Sequence, residues 1–239
     1  MTPQPIILSQ EVRDYYDNYV TKQKKKGINI RHRSILKKCK EAGLRRDSRV
    51  LEIGCGIGTL TTLLGKYCSA GQVLGVDISP ESISVARQLT ESLTNVKYEV
   101  SDMSNFKTGI RFDFVIFPDV LEHIPVAQHK SLFSVIREHS HESSSLCIHI
   151  PNPPYLRYFI KHEPTSLQII DQALDTQSLI DSLYELDFHV ESIRTYSLST
   201  IEHDYQFMVF RKGRYFEYKQ IQGKPFFRKL WDELWSRIR

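Results

Sequence analysis

The sequence predicts an α/β fold: a seven-stranded, mostly parallel sheet with helices on both faces. Two observations carry that expectation. From Asp47 onward, short apolar runs alternate with longer stretches of helical periodicity, the pattern of β-α units laid side by side. The first apolar run also ends in a glycine-rich turn that opens directly into a helical segment, the place where such sheets hold ligands. A length of 239 residues, 41% of them hydrophobic and 25% charged, suits one globular unit with a sizeable core.

Taken in order, Ile28–Ala42 reads as an amphipathic helix that caps the sheet, with Ile28, Ile35, Leu36 and Cys39 on one side and lysines around the rest. The strands are expected at Arg49–Ile53, Gln72–Asp77, Val96–Val100, Phe112–Phe117, Ser145–Ile150, His189–Ser197 and Tyr205–Phe210. Ser79 supplies an N-cap and Pro80 a first helical position for a helix that should end near Asn95. After the fifth strand, PNPPYLRYFIKHEPTSLQIIDQAL places three prolines in four positions ahead of aromatic and basic residues, which predicts an irregular excursion before the helix DTQSLIDSLYEL. Near the end, KPFFRKLWDELWSRIR puts Phe227, Leu230, Trp231, Leu234 and Ile238 on one helical stripe. That stripe has three readings: packing on its own domain, contact between two copies in a homodimer, or peripheral adsorption to an anionic membrane surface. The organisation is thus an N-terminal helical cap over residues 1–45, a core over 46–212 with a substrate-recognition excursion at 151–175, and a basic amphipathic extension over 213–239.

Charge is unevenly spread. Residues 22–46 carry eleven Lys/Arg against Glu41, and residues 211–239 carry nine against three acids, leaving twelve basic and twenty-four acidic residues elsewhere. The cationic arms could meet nucleic acid, an anionic membrane or an acidic substrate, or could be solvated helix faces; the acidic body and the lack of a recognisable nucleic-acid module argue against nucleic acid. No run approaches roughly 18 uninterrupted apolar residues and the N-terminal stretch lacks the build of a signal peptide, so a cytoplasmic location is expected. Cys39, Cys55, Cys68 and Cys147 form no CxxC pair, which argues for reduced, buried thiols rather than a disulfide framework or a thiolate zinc site.

The strongest chemical signal is VLEIGCGIG, Val50 to Gly58, in which a strand runs into Gly54, Gly56 and Gly58 just before a helix. Small residues there let the backbone approach a ligand, and the helix start offers free N–H groups. Glu52 precedes the first glycine by two residues, and a second acid, Asp77, ends the next strand. A nicotinamide-type fingerprint would want glycine at residue 59, where the chain has Thr59.

In order, LEIGCGIGTLT, GVDISPESISVAR, VSDMSNF and FDFVIFPDVLEHI resemble the successive motifs of the class I S-adenosylmethionine-dependent methyltransferases, including the small-molecule and ubiquinone-pathway O-methyltransferases; the resemblance spans about residues 46 to 212. It implies a Rossmann-like sheet whose seventh strand is antiparallel, and S-adenosylmethionine as cofactor with S-adenosylhomocysteine as product. By the same resemblance, Gly54, Cys55, Gly56 and Gly58 pass beneath the methionine part, with Glu52 orienting the loop or meeting the amino group. Asp77 would take the ribose hydroxyls, Ile78 would lie on the adenine, Asp102 and the Met103 backbone would meet its edge, and Pro118 would border the sulfonium. Other readings stand beside these: Asp77 as a helix cap, Asp102 as a turn cap, and Cys55 as a small spacer.

Methyl transfer needs alignment, plus a base if the acceptor is a hydroxyl. Asp119, Glu122 and His123 lie beyond the fourth strand, facing the expected donor, and three readings remain open there. His123 could be the general base. Asp119, Glu122 and His123, with His149, resemble the metal motif of ubiquinone-pathway and small-RNA methyltransferases, with Asp in place of the first Glu. The acids and His123 could instead fix the loop. Tyr155, Arg157, Tyr158 and His162 of the excursion, with Lys161, and Tyr19 of the N-terminal cap are the candidate substrate contacts. Tyr15, Tyr16 and Tyr19 could close over the cofactor, and Arg31 or Arg33 could reach its carboxylate. Asn152-Pro153-Pro154-Tyr155 copies the NPPY motif of amino-methylating DNA enzymes, but after the fifth strand instead of the fourth. The expected function is O-methylation of a small-molecule or glycan-type metabolite, with RNA or nitrogen methylation, or a non-catalytic cofactor-binding scaffold, as the alternatives.

Overall fold

A computed structural model describes residues 10–213, so the Phe227–Ile238 stripe and its possible roles lie outside the described residues. The element order is α1 (Gln10–Lys26), α2 (Ile30–Glu41), β1 (Arg49–Ile53), α3 (Thr59–Tyr67), β2 (Gln72–Asp77), α4 (Pro80–Leu89), β3 (Val96–Val100) and β4 (Phe112–Pro118). A 3-10 turn at Leu121–His123, α5 (Val126–Glu138), β5 (Ser140–Pro151), α6 (Pro153–His162), α7 (Thr176–Tyr184), β6 (Phe188–Tyr196) and β7 (Tyr205–Lys212) complete it. The strands form one seven-stranded sheet in the order β3-β2-β1-β4-β5-β7-β6, parallel except that β7 runs antiparallel to both its neighbours. The expected sheet is the observed one.

Alternation along the strands divides the core into two layers. Leu51, Ile53, Val115, Phe117, Leu146, Ile148, Met208 and Phe210 pack with α5 and α7 on one face. Val50, Phe114, Ile116, Cys147, Phe207 and Val209 pack with Ile35 and Cys39 of α2 and Leu60 and Leu64 of α3 on the other. A parallel strand covered on both faces has no solvent side, and this is why β4 reads as an almost unbroken apolar run. All four cysteines are free and buried. Among the described residues no helix is long and apolar enough to cross a membrane.

Three local expectations need correction. The helix after Ser79 stops at Leu89 and not near Asn95, because the Thr90 hydroxyl turns back to Ala86 O (2.9 Å) and closes the last turn. The excursion after β5 is not irregular throughout: Pro153 and Pro154 occupy the first helical positions of α6, where a missing N–H costs nothing. A further helix, α1, precedes the expected Ile28–Ala42 helix within the residues given to the cap; it buries only Val12 and Val20 among its hydrophobic residues, so its apolar periodicity is faint.

Between α1 and α2 the chain turns at Gly27, with φ of +53° and open space around its Cα. Asn29 then starts α2 with a capping box, accepting from Arg31 N (3.0 Å) while its own N–H donates to His32 Nδ1 (3.2 Å). Asn29→Ala is expected to lower the unfolding free energy by about 1 kcal/mol, read as a lower urea midpoint at unchanged slope.

Candidate functional site

The site grows from the C-terminal end of β1, where the strand order reverses between β2 and β4. Ile53 lies opposite Val76 in the parallel register, so the chain leaving β1 passes over the last residues of β2. The N–H groups of Gly54 and Cys55 both donate to Val76 O, at 2.8 and 3.0 Å. The Gly56 N–H donates to Asp77 Oδ2 (2.7 Å) and the Ser79 N–H to Asp77 Oδ1 (3.0 Å). Gly54 holds φ of +72°, and a Cβ there would stand 2.5 Å from Val120 Cγ2, so only glycine fits. Gly58 ends the loop and begins α3.

Glu52 is buried beneath this loop. Its Oε2 accepts from Thr61 Oγ1 (2.7 Å), whereas Oε1 has no hydrogen-bond partner among the described residues. Burial pushes its carboxyl up to about 8. Burial likewise raises Asp77, against the three backbone N–H groups that favour its ionised form. The Cys55 thiol, also raised by burial, points at Gly56 O (3.7 Å) and is a spacer without nucleophilic character.

On the β3 side, a cleft of about 350 Å³ is lined by Arg13, Ile78, Val100, Asp102 and Ser104. Asp102 accepts from Ser104 N (3.0 Å) and Ser104 Oγ (2.6 Å), and Arg13 of α1 reaches it at 3.4 Å. Met103 is buried at a φ of +68°, with its N–H donating to Ser101 Oγ (3.0 Å).

Beyond β4, half-buried Pro118 leads into Asp119, whose φ of +56° is a left-handed conformation uncommon outside glycine. The turn aims its carboxylate between Arg31 Nη1 of α2 (2.6 Å) and His149 Nδ1 of β5 (2.6 Å). His149 is wholly buried, stacks on Tyr205 at 4.7 Å, and meets the Tyr196 hydroxyl through Nε2 at 2.6 Å. Burial alone would raise Asp119, but Arg31 and His149 outweigh it and hold the carboxyl below its usual range. Arg31 is therefore bound within this network, and Arg33 is exposed.

Glu122 and His123 belong to a second set of contacts, with the segment before α7. The His123 Nδ1 donates to Ile170 O (2.6 Å) and lies 3.2 Å from Asp171 Oδ1; its Nε2 meets the Gln168 side-chain amide at 3.0 Å and Glu122 Oε1 at 3.8 Å. Glu122 Oε2 is buried without a hydrogen-bond partner among the described residues. Burial raises the Glu122 carboxyl; burial also opposes charge on His123, but Glu122 and Asp171 more than compensate and raise it too. The pair thus keeps a proton at neutral pH. Among the described residues no group of three or more His, Cys, Asp or Glu side chains is placed to hold a metal ion; Asp119 pairs with His149, and Glu122 with His123.

The expected substrate contacts divide. Tyr155 is half-buried against Phe159 (4.7 Å), and Tyr19 of α1 is half-buried and stacked on Tyr15 (5.9 Å). Arg157, Tyr158 and His162 lie exposed on α6, with Tyr158 and His162 paired at 4.6 Å. Residues that sequence reasoning missed are Arg13 and Gln23 of α1 and Gln168 and Asp171 before α7. The spacing of Val12, Tyr16, Val20 and Gln23 gave only a faint helical signal, and nothing local marked Gln168 or Asp171.

The chain is similar in part to known proteins. Residues 50–142 match the family described as "Methyltransferase domain". The chain is 35% identical over 85 residues to the ubiquinone biosynthesis O-methyltransferase of Coxiella burnetii, covering 35% of this chain and 36% of that protein. It is 30% identical over 77 residues to nodulation protein S of Sinorhizobium fredii, covering 32% and 35%. These matches span little more than a third of those relatives' length. Among solved structures, the magnesium protoporphyrin IX methyltransferase of Synechocystis PCC 6803 with bound S-adenosylhomocysteine superposes at a TM-score of 0.66, with 20% identity over 85% of this chain and 98% of that one. The N-methyltransferase NodS of Bradyrhizobium japonicum WM9 gives 0.62, with 19% identity over 77% and 95%. At such identities the likeness is one of fold.

The buried Glu52 carboxyl gives a pH signature. Its ordinary value of 4.5 is raised to about 8 in the folded chain, so the contribution of its protonated form is complete below 4.5 and lost as pH rises through 8. Glu52→Gln keeps an acceptor for Thr61 but cannot ionise. Urea denaturation at pH 5 and pH 8.5 is expected to show wild type losing stability relative to the variant on the alkaline side, by on the order of a few kcal/mol.

Proposed function

We propose, from the chain's membership of the class I S-adenosylmethionine-dependent methyltransferase family, that it transfers the methyl group of S-adenosylmethionine to an oxygen of a small-molecule or glycan-type metabolite. One observation carries the cofactor assignment: the Gly54–Gly58 loop is pinned to Val76 and Asp77 while Glu52, buried beneath it, keeps an oxygen without a partner among the described residues. A buried polar atom left unsatisfied costs free energy that a ligand's donor would recover. Bound there, S-adenosylmethionine supplies a sulfonium-activated methyl group for in-line displacement.

In this reading Glu52 and the loop hold the amino-acid end, and Asp77 accepts from the ribose hydroxyls. Ile78, Asp102 and the Met103 backbone border the adenine, while Pro118 walls the methyl-donating end. Asp119 acts through the backbone: its ion pair with Arg31 and its bond to His149 fix the turn that carries Glu122 and His123. The Glu122–His123 pair takes the acceptor's hydroxyl proton, for which a raised carboxyl with a free oxygen is better matched than an ordinary one. Tyr155 and Tyr19 are the half-buried candidates for acceptor contact; Arg157, Tyr158 and His162 meet an acceptor only at its outer end.

Calorimetric titration with S-adenosylmethionine and S-adenosylhomocysteine, with and without Mg²⁺, tests the cofactor. Binding on the order of micromolar, indifferent to Mg²⁺, is expected, and Asp77→Asn should weaken it about tenfold to a hundredfold by removing charge-assisted bonds. Absence of binding in every condition would overturn the enzyme reading as stated. An acceptor screen over phenols, sugars, amines and RNA then decides the atom; turnover on an amine or RNA alone would displace the oxygen reading.

The proton assignment predicts a pH profile. Because both groups of the pair are raised, their proton is released above neutrality, so turnover on a hydroxyl acceptor should climb through about pH 7–9. His123→Ala should spare cofactor binding and abolish that climb. Full turnover with an unchanged profile would remove the pair from the chemistry.

A further inference from the structure

The helix α1 lies across the mouth of the glycine loop. Arg13 pairs with Asp102, Asp17 accepts from Ser79 Oγ (2.5 Å) and from Glu81 N (3.4 Å), and Val20 packs on Ile57 and Val85. The Gln23 side-chain amide sits so close over Gly56 that a Cβ on that residue would fall 2.8 Å from Nε2. The Tyr16 ring lies 6.3 Å from that of His123, and its hydroxyl is held protonated by burial first and by the nearby Glu122 carboxylate second.

Two of the contacts on this helix make little sense as packing. Gln23 Oε1 and Tyr16 OH are buried and have no hydrogen-bond partner among the described residues, as are Glu52 Oε1 and Glu122 Oε2 across from them. Buried polar side-chain atoms are satisfied in the large majority of cases, so these orphans, Gln23 Oε1 and Glu52 Oε1 on either side of the glycine loop and Tyr16 OH near Glu122 Oε2, mark a space shaped for a polar ligand. Two belong to the sheet side and two to α1. The helix is held mainly by polar contacts and two buried valines, and it joins α2 through Gly27, a left-handed position in open space. A helix so attached can lift and return.

We infer that Gln23 and Tyr16 are cofactor-binding residues carried on α1, which closes over the bound cofactor as the outer wall of its site, Gln23 serving the amino-acid end above the glycine loop and Tyr16 the end beside Glu122. This rests on the proposed methyltransferase reading, and asks for more than that reading does. Arg13 has a part in the closure: its ion pair spans the adenine-side cleft, so entry of the cofactor and release of Arg13 from Asp102 are coupled.

Gln23→Met and Tyr16→Phe keep the side-chain volume and delete the orphaned oxygen. Each variant and the wild type are titrated with S-adenosylhomocysteine, their thermal midpoints are measured without it, and amide hydrogen exchange of the wild type is followed with and without it. The expected result has opposite signs: midpoints equal to or above wild type, because a buried unsatisfied atom is gone, and affinity weaker by about fivefold to tenfold in each variant. Exchange across residues 10–26 should slow on binding. Variants that bind as tightly as wild type, or exchange in α1 that ignores a tightly bound ligand, would overturn the inference and leave the methyltransferase reading intact. Failure of the wild type itself to bind would remove both.

Discussion

The parallel pairing of β1 with β2 is the constraint on which the site depends. Because Ile53 faces Val76, the two N–H groups that follow β1 fall on Val76 O and the next falls on Asp77. One register error would turn Asp77 away and leave the loop without its anchors. That register is secured by apolar burial on both faces, through Leu51 and Ile53 on one side and Val50 on the other, so the chemistry at the loop is fixed by packing well away from it.

The same logic recurs one strand further along. Pro118 faces His149 in the β4–β5 register, and the Asp119 N–H donates to His149 O, so a left-handed residue is the way the chain leaves the sheet while keeping its side chain beside β5. The polar chain Arg31–Asp119–His149–Tyr196 then ties α2, β4, β5 and β6 together beneath the turn that bears Glu122 and His123. Charge in that chain is compensated at each step, which a buried network requires.

How much of this could be read from the residues follows from how local each feature is. The bounds of β1, β2 and β3 were legible because each is a short apolar-rich run ended by glycine, acid or turn residues. The start of β5 was not: Ser140–Ser144 is polar, and pairs with β4 across an irregularity between Phe112 and Phe114. The prolines of α6 read as an irregular excursion in the pattern although they sit where a helix tolerates them. The cofactor candidates Glu52, Gly54, Asp77, Asp102 and Pro118 come from local motifs at strand ends and so could be proposed from the sequence, whereas Gln23 sits on a helix that no such motif marks. The surroundings of His123 come from residues 45 to 48 positions away, and those of Asp119 from helix and strand partners on either side; such meetings leave no periodic trace.

The position of β7 has a consequence for how the chain is made. This strand lies between β5 and β6, although it follows both in sequence. Until Tyr205–Lys212 has emerged from the ribosome, β5 is an open edge of hydrophobic strand and β6 has no neighbour to pair with. The half of the sheet that carries β1–β4 can assemble as it is synthesised, while the other half waits for a single late insertion. During that interval the nascent chain is most exposed to mispairing with other chains, and a chaperone would find its work on the β5 edge.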